Sequence, residues 1–260
     1  MNNSKFPFEI ITKWSRINNT EKKDYIRKLT PKQTKKLISI IDVLKTDEEW
    51  KRMMREYNRI MDYKNIMVLD LETTGFSYSS RIVQLSFSIH DEDGKQHEIY
   101  DSIVKQEKDM KIPPETTKIH GITDEMAETQ GKNLLEIINI FETKLKTVSK
   151  IVGHNINFDI NIMKNELIRI NKLECLEYLT QINTYCTMKN TKYILNLVNV
   201  KGIIKPPKLS ELYTYLFKEE MQNQHNSKYD VLNTSKCYFE LIKREKEVND
   251  LINFMNELIM

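Results

Sequence analysis

The chain has 260 residues, of which 40% are hydrophobic and 30% are charged, and it contains only six glycines and six prolines. Such a composition suits one large globular domain, or a medium domain with an appendage, and argues against a disordered or fibrous chain. The net charge of +3 is uneven, since residues 1–64 carry 16 lysines and arginines against 9 acidic residues, whereas residues 65–260 carry 24 against 28. The basic front would suit a polyanion, and a solvated helical surface explains it equally well.

The cysteines and the hydropathy of the chain indicate in which cellular compartment the protein is expected. The three cysteines, Cys175, Cys186 and Cys237, are odd in number and irregular in spacing, which indicates neither a disulfide framework nor a zinc knuckle. Reduced cysteines favour an intracellular protein. The first residues lack the apolar core of a signal peptide, and no apolar run approaches the roughly 18 residues that span a membrane. We therefore expect a soluble protein of the cytoplasm or nucleus with no membrane partner.

The first 64 residues have a helical pattern. Capping residues and apolar spacing predict three short helices, over about 21–29, 31–44 and 46–61. Helices this short need a packing partner, so they would form a small module or lie against the following domain. We predict a basic helical extension over residues 1–64.

The pattern then changes to strands. Residues 66–69 are apolar and rich in branched side chains, which predicts a buried strand. Residues 81–89 alternate in polarity over most of their length, as expected of a half-buried strand, and residues 97–104 would form a third strand after a turn at 91–94. Hairpin connections of this kind make neighbouring strands antiparallel.

Helices and short strands alternate over the rest of the chain. This pattern suggests an α/β fold over residues 65–246, in which a mixed β-sheet is flanked by helices. Residues 247–260 have one apolar stripe and would be a C-terminal helix that packs on this domain or on a protein partner. The expected strands are a short one that runs into a loop over 150–155 and another over 182–187. The expected helices are a short one that opens at Pro113-Pro114 and is ended by residues 120–123, then 124–128, 133–147, 158–170, 208–217 and a long helix from about Lys228.

Two carboxylates follow the first predicted strand, in the run Asp70-Leu71-Glu72-Thr73-Thr74-Gly75. Strand side chains alternate between faces, so Asp70 and Glu72 would point the same way, roughly 7 Å apart along the strand. Two like charges beside a buried strand are costly unless they are neutralised, and hard divalent cations take such oxygen ligands. The alternative is a solvated strand edge followed by an ordinary turn.

Three more residues extend this constellation. Asp159 is expected near the start of a helix that follows a strand, Asp230 lies on the long C-terminal helix, and His225 falls on the loop just before that helix. Each also has a plain structural explanation: a helix-dipole charge, a solvated helix residue and a surface loop histidine, respectively.

The order of these motifs identifies a family resemblance. Asp-x-Glu-Thr-x-Gly from Asp70, then His120-Gly121-Ile122-Thr123, then Gly-His-Asn-x-x-Phe-Asp ending at Asp159, then His-x4-Asp from His225 to Asp230, closely resembles the DEDDh 3′→5′ exonuclease superfamily. This is the proofreading (DnaQ-like) branch of the ribonuclease H-like fold. The resemblance covers about residues 65–245. Many relatives have Asp-Thr where this chain has Asn183-Thr184, a position that is not a metal ligand in the family pattern.

The resemblance implies a phosphodiesterase that uses two divalent metal ions, Mg²⁺ or Mn²⁺. Asp70 would touch both ions, Glu72 and Asp230 would complete the binding of one, and Asp159 would serve the other directly or through water. His225 would be the general base that takes a proton from the attacking water, a role that suits an imidazole at neutral pH.

Substrate contacts also follow from the resemblance. The Thr73-Thr74 backbone and the His120-Gly121 turn would line the pocket for the 3′-terminal nucleotide, and Asn155 would meet a phosphate or sugar. Phe158 would stack on a base, or else would be a core residue beneath its helix.

These features predict a metal-dependent 3′→5′ exonuclease that acts on single-stranded DNA or RNA ends. The alternative is a module of the same fold that binds nucleic acid or docks a polymerase without cutting. The five intact site residues favour the enzyme. A protein partner would use residues 1–64 or 247–260, and the choice between DNA and RNA stays open.

Overall fold

A computed structural model describes residues 65–77, 79–222 and 226–259 of the chain. The predicted helical extension at 1–64 and the predicted base His225 lie outside these residues. None of the helices in the described part is both long and apolar enough to cross a membrane.

A five-stranded mixed sheet forms the centre of the described region, with strand order β3-β2-β1-β4-β5. The first three strands form an antiparallel meander, and β4 and β5 run parallel to β1. The predicted mixed sheet flanked by helices is therefore confirmed. The strands are β1 Ile66–Thr73, β2 Ile82–His90, β3 Gln96–Ile103, β4 Lys150–Gly153 and β5 Asn183–Cys186. The helices are α1 Pro114–His120, α2 Asp124–Gln130, α3 Leu134–Leu145, α4 Ile156–Arg169, α5 Leu173–Gln181, α6 Thr187–Leu195, α7 Leu209–Phe217 and α8 Ser227–Ile259.

The two faces of β1 pack against different helices. Met67, Leu69 and Leu71 belong to the main core, together with buried side chains of α3 and α4. Ile66 and Val68 point to the opposite face, where they meet buried side chains of α8. Since strand side chains alternate, Asp70 and Glu72 continue along this second face toward the point where α8 begins.

Strand β2 differs from its prediction. The alternating pattern predicts a half-buried strand, but all nine residues of β2 are buried. Its polar face lies under α8, and its polar groups are hydrogen-bonded there: Ser88 Oγ lies 2.7 Å from His90 Nε2, and Ser86 Oγ bonds Ser227 Oγ. Because buried polar side chains are tolerated when they are hydrogen-bonded, alternation in sequence does not require one face to be wet.

Helix α8 continues through the predicted boundary at residue 246, so residues 247–259 extend the same helix. Val248, Leu251 and Ile252 of this part are exposed. Docking of a protein partner on this stripe stays a prediction.

Candidate active site

The candidate site lies at one edge of the sheet. Strands β1, β4 and β5 are parallel, so their carboxyl ends meet at this edge, which is where sites of α/β sheets commonly form. Asp70 and Glu72 lie near the end of β1, and α8 begins beside them. Its first turn contributes Asp230.

Three carboxylates converge at this edge. Oxygen atoms of Asp70, Glu72 and Asp230 all lie within 4.8 Å of one another, a spacing at which one cation could contact all three. Oxygen ligands of this kind suit hard divalent cations. The prediction that Asp70 and Glu72 share a face is thus confirmed, and the solvated strand edge is wrong because β1 is a central strand.

Burial and like charge raise the pKa of Asp70 well above its usual range. Desolvation has the largest effect, followed by the charges of Asp159, Asp230 and Glu72. The pKa of Asp159 is raised as well, mainly by burial, although hydrogen bonds from the backbone N–H groups of Asp159 and Leu71 partly oppose the shift. A bound cation would reverse this balance by favouring the ionised carboxylates. The donor set therefore fits a divalent metal.

The cost of ionising Glu72 in the folded protein makes stability depend on pH. Burial and, secondly, the charge of Asp230 raise its pKa from 4.5 to about 7. Between these values the folded protein holds a proton that the unfolded protein has lost. The stability that this proton provides is present below about pH 4.5 and is lost as the pH rises toward 7.

We therefore expect Glu72→Gln to stabilise the metal-free protein at pH 8 by on the order of 2 kcal/mol, and to have little effect at pH 4.5. This figure is reduced from the full pKa shift because the carboxylate is partly solvated. Denaturant unfolding in EDTA at both pH values measures the difference. An equal difference at the two pH values would show that Glu72 carries no such electrostatic cost.

Asp159 is positioned by the connection between β4 and α4. Gly153 ends β4, and a Cβ there would lie only 2.9 Å from the carbonyl oxygen of Leu69, so glycine allows β4 to approach β1 closely. Asn155 precedes α4 with a φ of 69°, a left-handed conformation that asparagine adopts more readily than most residues. Asp159 follows in the first turn of α4 and is 4% exposed.

Hydrogen bonds across the sheet position the start of α8. Ser86 Oγ bonds Ser227 Oγ at the first residue of α8, and Asp101 Oδ1 on β3 accepts from Ser86 Oγ at 2.6 Å. Gln84 Nε2 donates to the same Asp101 oxygen at 2.7 Å. This series of hydrogen bonds links two neighbouring strands to the helix turn that carries Asp230. No local pattern in the sequence indicates these hydrogen bonds.

The loop after β1 is fixed by hydrogen bonds and an ion pair. The Arg81 backbone N–H donates to Thr74 Oγ1, and the Thr74 N–H donates to the Arg81 carbonyl, both at 2.9 Å. The Arg81 guanidinium then contacts the buried carboxylate of Glu166 on α4 at 3.0 Å. Thr73 Oγ1 donates to the Gly75 carbonyl at 2.6 Å. The predicted Thr73-Thr74 contact region is therefore held beside the carboxylates.

The His120-Gly121 turn ends α1. Gly121 has a φ of 75°, a left-handed conformation that glycine takes without steric cost. The buried ring of His120 accepts a hydrogen bond from the Ile122 N–H at its Nδ1. Burial lowers the pKa of His120, and the neighbouring Thr73 backbone partly opposes that shift. The ring of His120 therefore lies next to the end of β1.

An open cleft of about 490 Å³ lies over the carboxylates. The sequence did not single out three of its lining residues, Phe76, Lys118 and Ile119. Their positions carried a signal, because Phe76 directly follows the Asp-x-Glu-Thr-Thr-Gly run and Ile119 directly precedes His120-Gly121. The lining residues in the described part are Asp70, Leu71, Glu72, Phe76, Lys118, Ile119 and Asp230.

The other two predicted substrate contacts are not among the residues that line this cleft. Asn155 is exposed in the β4–α4 loop. Phe158 is partly buried and packs against the main core, as its structural alternative predicts. Contact of either residue with substrate stays a prediction.

An acidic cleft at the end of the first strand of a mixed α/β sheet suits a nuclease that uses divalent metal ions. A model of the exonuclease family named RNase_T matches residues 67–238, so the chain belongs to this exonuclease family. The predicted membership of the DEDDh (DnaQ-like) exonuclease superfamily is thereby confirmed. No curated protein sequence matches the chain significantly.

Solved structures of exonuclease I share the fold. The Escherichia coli enzyme in complex with a dA16 oligonucleotide has a TM-score of 0.61 and 22% identity, over 72% of this chain and 42% of that chain. The zinc-bound complex of the Escherichia coli enzyme with single-stranded DNA has a TM-score of 0.60 and 21% identity, over 74% of this chain and 43% of that chain. The Methylocaldum szegediense enzyme has a TM-score of 0.59 and 21% identity, over 72% and 42%. The predicted ribonuclease H-like fold is confirmed, and the chain spans less than half the length of these relatives.

Proposed function

We propose that this protein removes nucleoside 5′-monophosphates one at a time from the 3′ end of single-stranded nucleic acid, with two divalent ions, Mg²⁺ or Mn²⁺, in its site. The convergence of Asp70, Glu72 and Asp230 at the floor of an open cleft carries this proposal. The oligonucleotide complexes of exonuclease I support a single-stranded substrate.

The carboxylates would divide between two ions. Asp70, Glu72 and Asp230 would hold one, and Asp70 and Asp159 would hold the other. The ions would supply Lewis-acid activation of water and would neutralise charge that develops on the phosphoryl oxygens. The raised pKa values of Asp70 and Asp159 support the need for compensating positive charge at this site.

His225 would accept the proton of the attacking water. The water oxygen forms a new bond to phosphorus while the P–O3′ bond breaks, and the O3′ atom leaves with the shortened strand. The released nucleotide retains its 5′-phosphate, and solvent returns a proton to O3′. An unperturbed imidazole pKa of about 6.5 leaves this base mostly neutral at pH 7.5.

The cleft walls offer two apolar contacts for the terminal base. Phe76 is 79% exposed and Ile119 is 41% exposed, and both line the cleft over the carboxylates. An exposed phenylalanine can stack on any base, whatever the sequence. Lys118 lies on the same wall and would contact a phosphate.

Phe76→Ala should raise the KM for a short oligonucleotide about tenfold, because stacking on an aromatic ring contributes roughly 1–3 kcal/mol per base. Steady-state rates over a range of oligonucleotide concentrations measure this change. Phe76→Tyr keeps an aromatic ring and should retain the parent KM. An unchanged KM in the alanine variant would remove Phe76 from substrate binding.

Chromatography of the products tests the proposed reaction. Matched single-stranded DNA and RNA oligomers are incubated with Mg²⁺, with Mn²⁺ or with EDTA. We expect nucleoside 5′-monophosphates with a divalent ion and none with EDTA, and the preferred oligomer identifies the natural class of strand. Binding without product release under all conditions would instead favour the non-catalytic binding or docking module.

A further inference from the structure

A basic segment, residues 187–208, lies at the same edge of the sheet as the carboxylates. It contains five lysines and no aspartate or glutamate. Without it, residues 65–260 carry 19 lysines and arginines against 28 acidic residues. The segment thus has a net charge of +5, whereas the rest of this region has a net charge of −9.

The topology places this segment beside the site. The basic segment begins where β5 ends, and β5 is parallel to β4, which is parallel to β1. Carboxyl ends of parallel strands meet at one edge, so the segment starts about two strand spacings, roughly 10 Å, from the strand that carries Asp70.

His154 ties both ends of the basic segment to the loop before α4. Its Nε2 lies 3.0 Å from the Pro207 carbonyl, and its Nδ1 lies 2.9 Å from Thr187 Oγ1. Since a carbonyl only accepts, Nε2 carries the proton and Nδ1 accepts from the hydroxyl. Burial lowers the pKa of His154 to about 4, so this neutral arrangement persists at physiological pH. Asp159 lies five residues further along the chain.

Several side chains of the basic segment are available to a ligand. Lys189, Lys201 and Lys208 are exposed, and none forms an ion pair with a residue that the structure describes. Lys205 differs, because it is paired with Glu211. Tyr193 is 73% exposed, and Lys192 Nζ lies 5.3 Å from the centre of its ring. Lysines interleaved with an exposed aromatic ring suit the phosphates and bases of a single strand.

We propose that the basic segment binds the 5′ part of the single strand whose 3′ end occupies the carboxylate cleft. This inference rests on the proposed function. Positive charge here would offset the repulsion between the acidic cleft and the polyanionic substrate, and would favour long strands over short ones.

Equilibrium binding tests this proposal without requiring catalysis. Fluorescence anisotropy in EDTA would follow labelled oligothymidylates of 3 and 15 nucleotides on the full chain, over a range of salt concentrations. The parent should bind the 15-mer more tightly. In a variant with Lys189→Gln, Lys201→Gln and Lys208→Gln, the slope of log affinity against log salt for the 15-mer should be smaller by about 2, at roughly 0.7 per lost phosphate contact.

A charge-matched control uses Lys95→Gln, Lys243→Gln and Lys246→Gln. Lys95 lies in the β2–β3 turn at the opposite edge of the sheet, and the other two lie roughly 20 Å along α8 from Asp230. This control should keep the parent slope, and circular dichroism checks the fold of both variants. The proposal would be overturned if the variant with Lys189, Lys201 and Lys208 replaced kept the parent slope. It would also be overturned if that variant and the control lost the same amount of slope.

Stacking on the segment has its own test. Tyr193→Leu should weaken binding of the 15-mer about fivefold or more, and Tyr193→Phe should not. Release of mononucleotides with Mn²⁺ is measured separately. If the parent releases none, the proposed function fails, whereas the binding slopes still decide whether the basic segment holds the strand.

Discussion

Asp70→Asn should reduce the rate of mononucleotide release by about 10³-fold or more, because metal ions at such sites contribute several kcal/mol of transition-state stabilisation. Asp70 is the carboxylate whose pKa is raised by all three other acidic residues of the site. Its charge therefore interacts with every other carboxylate of the site. Initial rates at saturating Mn²⁺ and substrate measure the loss.

The same substitution should not destabilise the metal-free protein. Asp70 is a buried carboxylate among like charges, so the neutral amide relieves desolvation and repulsion at pH 8. Asp93→Asn is a matched control, because Asp93 is exposed in the β2–β3 turn at the far edge of the sheet. Retention of more than a tenth of the parent rate by the Asp70 variant would contradict its assigned role.

His225→Ala should lower kcat by about 10²–10⁴-fold, the usual contribution of a general base. The parent rate should fall below about pH 6.5 as the imidazole becomes protonated. His225→Ala has no imidazole at this position, so its rate should not show this fall. Binding of the proposed metal ions should also weaken at low pH, because burial raises the pKa of Glu72 to about 7. Profiles at saturating Mn²⁺ separate the two effects.

His97→Ala serves as the control for this variant. His97 is exposed and contacts Asp91 at 3.1 Å, at the edge of the sheet opposite the carboxylates. It should keep the parent rate and pH profile. A full rate in His225→Ala would remove His225 from the role of base.

The sequence predicts the site through local pattern and spacing. The alternation of β1 places Asp70 and Glu72 on one face, and the helix that begins at Ser227 carries Asp230 to that face. Both features depend on periodicity, which is legible in a single sequence. Thr123 likewise caps the helix that begins at Asp124, since its side chain accepts from the Met126 N–H.

Features that depend on tertiary packing were missed. Helix α5 begins at Leu173 without a side-chain cap, and α6 begins at Thr187 directly after a strand, so neither has the usual start signal. The burial of β2 depends on the long helix that covers it. The bonds from Asp101 through Ser86 to Ser227 join residues far apart in sequence, and no local pattern indicates them.

The direction of hydrolysis tests the central claim most directly. A 5′-labelled single strand of 20 nucleotides is incubated with the protein and Mn²⁺, and the labelled products are resolved by size over time. We predict a ladder that shortens by one nucleotide at a time from full length, and no cleavage of a strand with a blocked 3′ end. Early release of the label as a mononucleotide, internal cuts in the blocked strand, or no cleavage at all would contradict the assignment of this site as a 3′→5′ exonuclease.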